Sequence, residues 1–266
     1  MPAPDPADVA DRDLLIDAAE AAGRIARRHR RAGLKPVEKP GGLGPVTEAD
    51  LAIDRMLRAE LTAARPGYGW LSEETPDDGA RLDARRVFVV DPIDGTRAYA
   101  EGQPDYTHAL AVVDGGRPVA AAIHQPERGR TWAAARGGGA TRDGRAIAPT
   151  GRAGLDGATV LATKASLDAR NWRGGAPPVR RSFRSSLAYR LALVAEGRFD
   201  AMVALRPCWE WDIAAGALVV LEAGAAVTDM AGALQRFNNP HPQVAGTLAG
   251  TPDVQVALLD RLARAG

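Results

Sequence analysis

The segment VFVVDPIDGT constrains the fold more than any other part of this chain, because four apolar residues lead directly into two aspartates. Residues 87–90 have the length and β-branched content of a buried strand. Asp91 and Asp94 follow, with Gly95 and Thr96 directly behind them. Two carboxylates at the end of a buried strand repel each other and lose hydration. The segment therefore predicts a strand that ends at a cation.

A divalent metal ion is the cation that the sequence favours at this strand end. Arg97 is the only base close by in the sequence, and the 4 histidines are scattered, which argues against zinc. Mg²⁺ prefers oxygen ligands and keeps several waters, so a few carboxylates and a carbonyl suffice. Gly95 and Thr96 offer backbone N–H groups beside it, which suit a phosphate. A metal next to a phosphate site predicts phosphoryl transfer or phosphate-ester hydrolysis.

Other acidic residues have both a structural and a metal-site interpretation: Asp50, Glu73, Glu74 and Asp212. Asp50 lies three residues after Thr47, which is the spacing of a capping box at a helix start. The two glutamates lie in the acidic loop SEETPDDGA, where glutamates are usually solvated. Asp212 directly precedes a predicted helix and is a good N-cap. The residues taken one by one leave both interpretations open.

The hydrophobic pattern predicts a mixture of helices and strands. Residues 106–148 show strand candidates separated by DGG and PERGR, which predict an antiparallel meander. Strands are also expected at YGWL, ATVLATK and residues 225–229. Helices are expected over residues 8–31, from Thr47 to Gly67, before Gly197, over 213–223 with Gly224 as C-cap, and from Pro252 onward. This order predicts an α+β or layered α/β architecture. A change of pattern predicts two subdomains, 1–148 with the main metal motifs and 149–266 completing the substrate pocket.

Composition argues against several classes of partner. The formal net charge of +1 favours neither a nucleic-acid polymer nor a membrane surface. The apolar run at residues 213–221 is too short to span a bilayer. The N-terminal MPAPDPADVADRD lacks the basic and apolar regions of a signal peptide. Cys208 is the only cysteine, so an intramolecular disulfide is impossible and a cytoplasmic location is expected.

Three motifs together resemble one known family. DPIDGT, with LSEE upstream and EWDIAAGALVVLEAGAAVTD downstream, resembles the inositol monophosphatase family of magnesium-dependent, lithium-sensitive phosphatases. The resemblance covers residues 39–229. It implies the layered α-β-α-β-α sandwich of inositol monophosphatases and sugar phosphatases, two or three Mg²⁺ ions, and a small phosphorylated metabolite as substrate. The family often forms dimers, so the resemblance also allows a homodimer.

The resemblance implies a metal role for each matched acidic position. The first ion would take Glu73, Asp91 and the carbonyl of Ile93, and the second would take Asp91, Asp94 and Asp212. Asp91 would then bridge two cations, which explains why the paired charges at the strand end are tolerated. A further, weaker magnesium would involve Glu74.

The resemblance also implies catalytic and phosphate-binding roles. Asp50 and Thr96 match the pair that orients the attacking water, and Glu73 acts beside them through its metal. The backbone of Gly95 and Thr96 would hold the phosphate, and Lys39 lies where the family often has a lysine near the site. Thiol catalysis is excluded, because Cys208 has no nearby histidine in the sequence.

The choice of substrate rests on weaker patterns. SSLAYRLALVAEGRFDA with EWD resembles the branch that cleaves 3'(2'),5'-bisphosphate nucleotides, and inositol 1-phosphate, histidinol phosphate and non-catalytic binding are the alternatives. Arg184 stands where the family has glycine, and it would close the pocket, supply a cation for a second phosphate, or lie on the surface. Arg206 and Trp209 are a second candidate cation and a candidate stacking surface. Further substrate contacts are expected from Ser185, Ser186 and Glu210.

Overall fold

Helical layers and two β-sheets alternate in the computed structural model, which describes residues 3–39, 41 and 44–263. The helices of the described residues are α1 (Pro6–Ala32), α2 (Glu48–Ala64), α3 (Thr96–Ala100), α4 (Leu187–Ala195), α5 (Glu210–Glu222) and α6 (Pro252–Arg261). Two short strands, β1 (Val37–Glu38) and β2 (Pro45–Val46), form a separate antiparallel ribbon.

The first large sheet has seven strands in sequence order. They are β3 (Gly69–Ser72), β4 (Arg86–Asp94), β5 (Thr107–Asp114), β6 (Arg117–Gln125), β7 (Arg130–Ala135), β8 (Ala140–Arg142) and β9 (Arg145–Ala146). β3 pairs with β4 in parallel, and every later pair is antiparallel. The meander expected over residues 106–148 is therefore confirmed, and β4 is longer than the apolar run alone indicated.

The second large sheet has five strands and follows the first in the chain. Its strands lie in the order β11 (Arg180–Ser182), β10 (Thr159–Ala162), β12 (Ala201–Ala204), β16 (Thr247–Gly250), β14 (Ala226–Thr228). β10 is parallel to both of its neighbours, and β16 is antiparallel to both of its own. The strands β13 (Cys208–Trp209) and β15 (Gln243–Val244) form a small ribbon beside this sheet.

Three apolar clusters hold these layers together. Side chains of α1 and α2 pack with Phe88 and Leu110 on one face of the seven-stranded sheet. α4 and α5 fill the space between the two sheets, where Leu191 packs in one cluster with Val89 and Met202. α6 covers the outer face of the five-stranded sheet. The layered α-β-α-β-α sandwich implied by the resemblance is confirmed.

Two helix ends differ from the sequence-based expectation. α5 begins at Glu210 rather than at residue 213, because the chain enters it directly from the short strand β13. Trp209 is its N-cap and makes no side-chain capping bond, so Asp212 lies inside the first turn and is not the N-cap. The C-cap is Ala223, and Gly224 follows it at φ 88°. The interpretation of Asp212 as a capping residue is therefore corrected.

The two large sheets lie on either side of residue 149 in the sequence. α5 nevertheless shares one apolar cluster with strands of the first sheet, so the core is continuous between the halves. The division into two subdomains remains a prediction. Within the ranges that the structure describes, the helices are all too short or too polar to cross a bilayer.

Candidate metal centre and active-site cleft

The end of β4 brings two aspartates to one place. In a regular strand, residues three apart face opposite sides of the sheet. The pairing of β4 with β5 shifts in register between Asp91 and Asp94, and such an irregularity re-aims side chains. Gly95 then turns the chain at φ 95°, and α3 begins at Thr96. A side chain at Gly95 would lie 3.2 Å from the carbonyl oxygen of Asp105, so this turn suits glycine for both reasons.

Asp212 joins these two aspartates from α5. Ligand oxygens of Asp91, Asp94 and Asp212 all lie within 4.8 Å of one another. α5 approaches this position because it packs closely on α4, where a side chain at Gly216 would collide with Leu191. Asp94 and Asp212 are 118 residues apart in the sequence, and the fold brings them into a single carboxylate cluster.

The start of α4 holds Asp94 within this cluster. Asp94 Oδ2 accepts hydrogen bonds from the Ser186 hydroxyl and the Ala188 backbone N–H, both at 2.7 Å. Ser186 is also the N-cap of α4, where its hydroxyl accepts from the Tyr189 N–H. These donors offset part of the cost of burying Asp94. Ser186 therefore acts on a metal-ligand candidate and does not line the cleft.

The cluster has the properties of a divalent metal site. Burial and the charges of neighbouring carboxylates raise the pKa values of Asp91 and Asp212 well above their usual range. Burial raises the pKa of Asp94 to about 6, in opposition to its hydrogen bonds. Asp91 Oδ1 is buried and has no hydrogen-bond partner among the described residues. Because a hard cation would satisfy this oxygen and offset the repulsion, the three carboxylates fit Mg²⁺.

Two glutamates and a lysine extend the acidic centre. Glu73 lines the cleft, and its charge adds to the raised pKa of Asp91. Lys39 Nζ lies 2.7 Å from Oε1 of both Glu73 and Glu74. Burial raises the pKa of Glu74 to about 7. Burial alone would lower the pKa of Lys39, but the two carboxylates raise it to about 12. Lys39 therefore lies at the cleft as expected, with its ammonium group engaged by both glutamates.

Asp50 combines the two roles that its sequence position left open. Its Oδ2 accepts hydrogen bonds from the N–H and the hydroxyl of Thr47, at 2.8 and 2.5 Å, which completes the capping box. Its Oδ1 faces the Thr96 hydroxyl at 3.2 Å. That hydroxyl also lies 2.9 Å from the Ile93 carbonyl oxygen. Burial raises the pKa of Asp50 to about 6, against the hydrogen bonds from Thr47.

Most of these groups line one cleft of about 480 Å³, and Asp50 and Glu74 lie behind its lining. Its lining contains most of the residues that the sequence singled out, including Arg206 and Trp209: Lys39, Glu73, Asp91, Ile93, Asp94, Gly95, Thr96, Ser185, Arg206, Trp209 and Asp212. Arg97 also lines the cleft; the sequence offered it only as an alternative to a metal ion for offsetting the aspartate charges. The cleft combines an acidic floor with basic and aromatic walls, and so it suits a phosphorylated metabolite.

Three expected substrate residues do not line the cleft: Ser186, which holds Asp94, and also Arg184 and Glu210. Arg184 does not line the cleft; its Nε lies 3.6 Å from Asp105, and its guanidinium sits over the Phe199 ring. Glu210 is 0% exposed, and its carboxylate accepts three hydrogen bonds from Asn238 and Asn239. Arg184 and Glu210 were expected at the cleft because they lie close to Ser185 and Asp212 in the sequence. That expectation was wrong, because side chains close together in the sequence point in different directions.

The sequence did not identify Trp211, which lines the cleft, or Arg190, a buried cation whose charge acts on Asp94. Trp211 stacks on Trp209 with ring centroids 4.8 Å apart and an angle of 6° between the planes. Arg190 is 4% exposed and is one of the charges that lower the pKa of Asp94. Burial lowers the pKa of Arg190 itself to about 10. A signal for Arg190 was present, because it interrupts the otherwise apolar run of α4.

Comparison with known proteins identifies relatives that match nearly the whole chain. The family model described as the inositol monophosphatase family matches residues 10–264. The chain is 33% identical to the Nus factor SuhB of Xylella fastidiosa over 268 residues, which cover 96% of this chain and 94% of that protein. It is 32% identical to an inositol-1-monophosphatase of Mesorhizobium japonicum over 263 residues, 93% and 94% of the two chains.

Solved structures show the same architecture. The extragenic suppressor protein suhB of Bartonella henselae superposes with a TM-score of 0.80 at 29% identity, covering 94% of this chain and 97% of that one. An inositol monophosphatase of Thermotoga maritima gives a TM-score of 0.79 at 25% identity, with 95% and 96% coverage.

Proposed function

Because the chain belongs to the inositol monophosphatase family and is a metal-dependent phosphoric monoester hydrolase, we propose that its substrate is inositol 1-phosphate or a similar small polyol phosphate. The observation that carries the metal-dependent phosphatase chemistry is the cluster of Asp91, Asp94 and Asp212 on the floor of the cleft. The names of two similar proteins, the inositol-1-monophosphatases of Mesorhizobium japonicum and Rhizobium meliloti, support this choice of substrate.

We assign the metal ligands to the residues around the acidic floor. Asp91, Asp94 and Asp212 would hold Mg²⁺ together with Glu73 and the Ile93 carbonyl, and the number of ions proposed is two or three. The bound metal would supply a Lewis acid that offsets phosphate charge and lowers the pKa of water. Glu74 would help to hold a further, weaker magnesium at the edge of the site, where its charge is offset by Lys39.

We assign substrate and water positioning to the start of α3. Thr96 would hold the attacking water through its hydroxyl oxygen, with its proton given to Asp50 Oδ1 rather than to the Ile93 carbonyl oxygen, the other acceptor within reach. Backbone N–H groups of Gly95 and Thr96 would donate to the phosphate oxygens. These groups are fixed before substrate arrives, because the Gly95 turn and the Asp50 cap hold them. Such preorganisation acts mainly in the transition state.

A second candidate substrate is a 3'(2'),5'-bisphosphate nucleotide. The stacked pair of Trp209 and Trp211 beside Arg206 favours it, since a flat base can stack on an aromatic face and a second phosphate can pair with a cation. Against it, Arg184 and Glu210, on which the sequence-based preference partly rested, do not line the cleft. The polyol phosphate is therefore placed first.

Phosphate release tests both candidates. We expect Mg²⁺-dependent release from inositol 1-phosphate that stops in EDTA and returns with Mg²⁺, with 3'-phosphoadenosine 5'-phosphate and histidinol phosphate in the same panel. Activity that persists in EDTA would contradict the metal centre. If the bisphosphate nucleotide has the higher kcat/KM, the second candidate replaces the first.

A variant pair separates these two substrates at the aromatic wall. Trp209→Leu removes the ring, and Trp209→Phe retains a stacking surface as the matched control. If the nucleotide is the substrate, Trp209→Leu should lower its kcat/KM at least about fivefold relative to Trp209→Phe, since stacking on a base contributes about 1–3 kcal/mol. Equal effects of the two variants on the nucleotide would contradict a stacking role.

A further inference from the structure

A buried polar network links the two segments that carry the outermost candidate metal ligands. One segment is the loop after β3, which contains Glu73, and the other is the first turn of α5, which contains Asp212. Residues 238–239 lie between the two segments. They accept hydrogen bonds from Arg81, which follows the loop, and they donate hydrogen bonds to Glu210 at the start of α5. None of these linking residues lines the cleft.

Arg81 forms the half of the network on the β3 side. Its side chain is 1% exposed, although it carries a charge. Its Nε and Nη2 donate to the two oxygens of Asp77, at 3.1 and 2.8 Å, which anchors the loop that contains Glu73. Its Nη1 and Nη2 also donate to Asn238 Oδ1 and to the Asn239 carbonyl oxygen, at 2.5 and 2.9 Å. The planar guanidinium therefore joins this loop to residues 238–239 in a fixed geometry.

Glu210 forms the half of the network on the α5 side. It is the first residue of α5, two residues before Asp212. Its Oε2 accepts from the Asn238 N–H at 2.6 Å, and its Oε1 accepts from the N–H and the side-chain amide of Asn239, at 2.9 and 2.6 Å. Because this buried carboxylate has three donors, it fixes the start of α5 against residues 238–239.

We propose that Arg81 and Glu210 are positioning residues, which set the distance between Glu73 and Asp212 by clamping residues 238–239 between them. This inference rests on the proposed metal centre. Groups that hydrogen-bond directly to metal ligands orient them, and their loss typically weakens metal binding roughly tenfold to a hundredfold. Arg81 and Glu210 act one step further out, through the backbone of the segments that carry Glu73 and Asp212. The two halves share one loop, so removal of either charge releases the same link.

Magnesium binding in the absence of substrate tests the proposal by isothermal titration calorimetry. The test variants are Arg81→Gln, Glu210→Gln and the double variant. The matched control is Arg86→Gln, which removes a partly buried arginine that pairs with Asp8 and Asp11 at the opposite end of β4. Melting temperature and circular dichroism are recorded for each variant. Asn239→Ala, which removes one donor to Glu210, gives a milder test if a charge variant does not fold.

We expect Arg81→Gln and Glu210→Gln each to raise the Mg²⁺ dissociation constant on the order of tenfold, the lower end of the effect of groups that contact the ligands directly. The double variant should lose less binding than the two single losses combined, and Arg86→Gln should bind Mg²⁺ as wild type does. Unchanged Mg²⁺ binding in folded Arg81, Glu210 or Asn239 variants would overturn the positioning role while leaving the metal centre intact. If wild type itself binds no Mg²⁺, both the metal centre and this inference are wrong.

Discussion

Asp50 and Thr96, which are 46 residues apart in the chain, meet with Asp50 Oδ1 3.2 Å from the Thr96 hydroxyl. The other oxygen of the same carboxylate caps α2 through Thr47. One buried side chain thus fixes both a helix start and a hydroxyl group in the cleft. This arrangement makes the geometry of Thr96 depend on the anchoring of α2, and it leads to two predictions that separate catalysis from stability.

Replacement of Thr96 by alanine should lower kcat more than it raises KM. The hydroxyl is proposed to position the attacking water, and loss of correct positioning costs on the order of a hundredfold in rate. Thr96→Ser retains the hydroxyl and should keep most of the activity. Steady-state kinetics on inositol 1-phosphate measure both variants. A change in KM alone would make Thr96 a binding residue only.

Replacement of Thr47 and of Asp50 should separate the cap from the site. Thr47→Ala removes a capping hydroxyl and should cost about 1 kcal/mol of unfolding free energy with a smaller effect on kcat. Asp50→Ala removes both the cap and the contact to Thr96, so stability and kcat should fall together. Urea unfolding and kinetics on the same preparations provide the comparison. Equal losses of kcat in the two variants would contradict a separate role for Asp50 Oδ1.

Replacement of Asp91 by asparagine should nearly abolish turnover and yet stabilise the metal-free protein. Asp91 is 1% exposed and lies beside two further carboxylates, so its charge is costly without a cation. The neutral amide removes that cost at similar volume. Thermal melts in EDTA should therefore give a higher Tm for Asp91→Asn than for wild type. A lower Tm would show that the carboxylate is satisfied by some other partner.

The clustered carboxylates should make the metal-free protein less stable as pH rises from about 4 to above 6. The buried His108 and His124, whose pKa values are lowered to about 3 and about 4, act in the opposite direction and offset part of this decrease. The folded pKa of Asp94 is about 6 against an ordinary 3.8, and the pKa values of Asp91 and Asp212 are raised in the same direction. A raised carboxyl pKa means that the folded state binds more protons, so stability is greatest below the unfolded pKa and decreases through the folded pKa. Mg²⁺ should oppose this decrease, because it favours the ionised carboxylates.

Melting temperatures at pH 4.5, 6 and 8, in EDTA and in Mg²⁺, measure this dependence. The stabilisation by Mg²⁺ should be larger at pH 8 than at pH 4.5. Asp91→Asn serves as the matched control, because it removes one of the three titrating groups and should show a shallower decrease in EDTA. A stabilisation by Mg²⁺ that does not change with pH would contradict binding at these carboxylates.

Lithium should inhibit the Mg²⁺-dependent activity, as the family resemblance implies. The cluster of Asp91, Asp94 and Asp212 offers oxygen ligands at which a small monovalent cation can replace magnesium. LiCl and KCl are titrated at the same ionic strength, so that screening acts equally in both series. Inhibition by LiCl alone would support replacement of a metal ion. The same inhibition by both salts would mean that screening is the whole effect.

The sequence predicted those parts of the site that depend on local pattern. Residues 87–90 followed by Asp91 and Asp94 indicated a buried strand that ends at a cation, and the structure places both carboxylates in the cluster. The capping box at Thr47 and Asp50 was also visible, because its spacing is set by one turn of helix. The layered fold followed from the resemblance of three separated motifs.

Only the tertiary structure decided which neighbouring side chains face the cleft. In the sequence, Arg184 directly precedes Ser185, and Glu210 lies two residues before Asp212. In the structure, neither Arg184 nor Glu210 lines the cleft. Glu210 finds its partners 28 and 29 residues further along the chain, at a separation for which no local spacing gives a signal. Sequence alone thus determined which chemistry gathers here, because charge and strand pattern are local. The direction of each side chain depends on packing between distant segments, and so only the folded chain determines it.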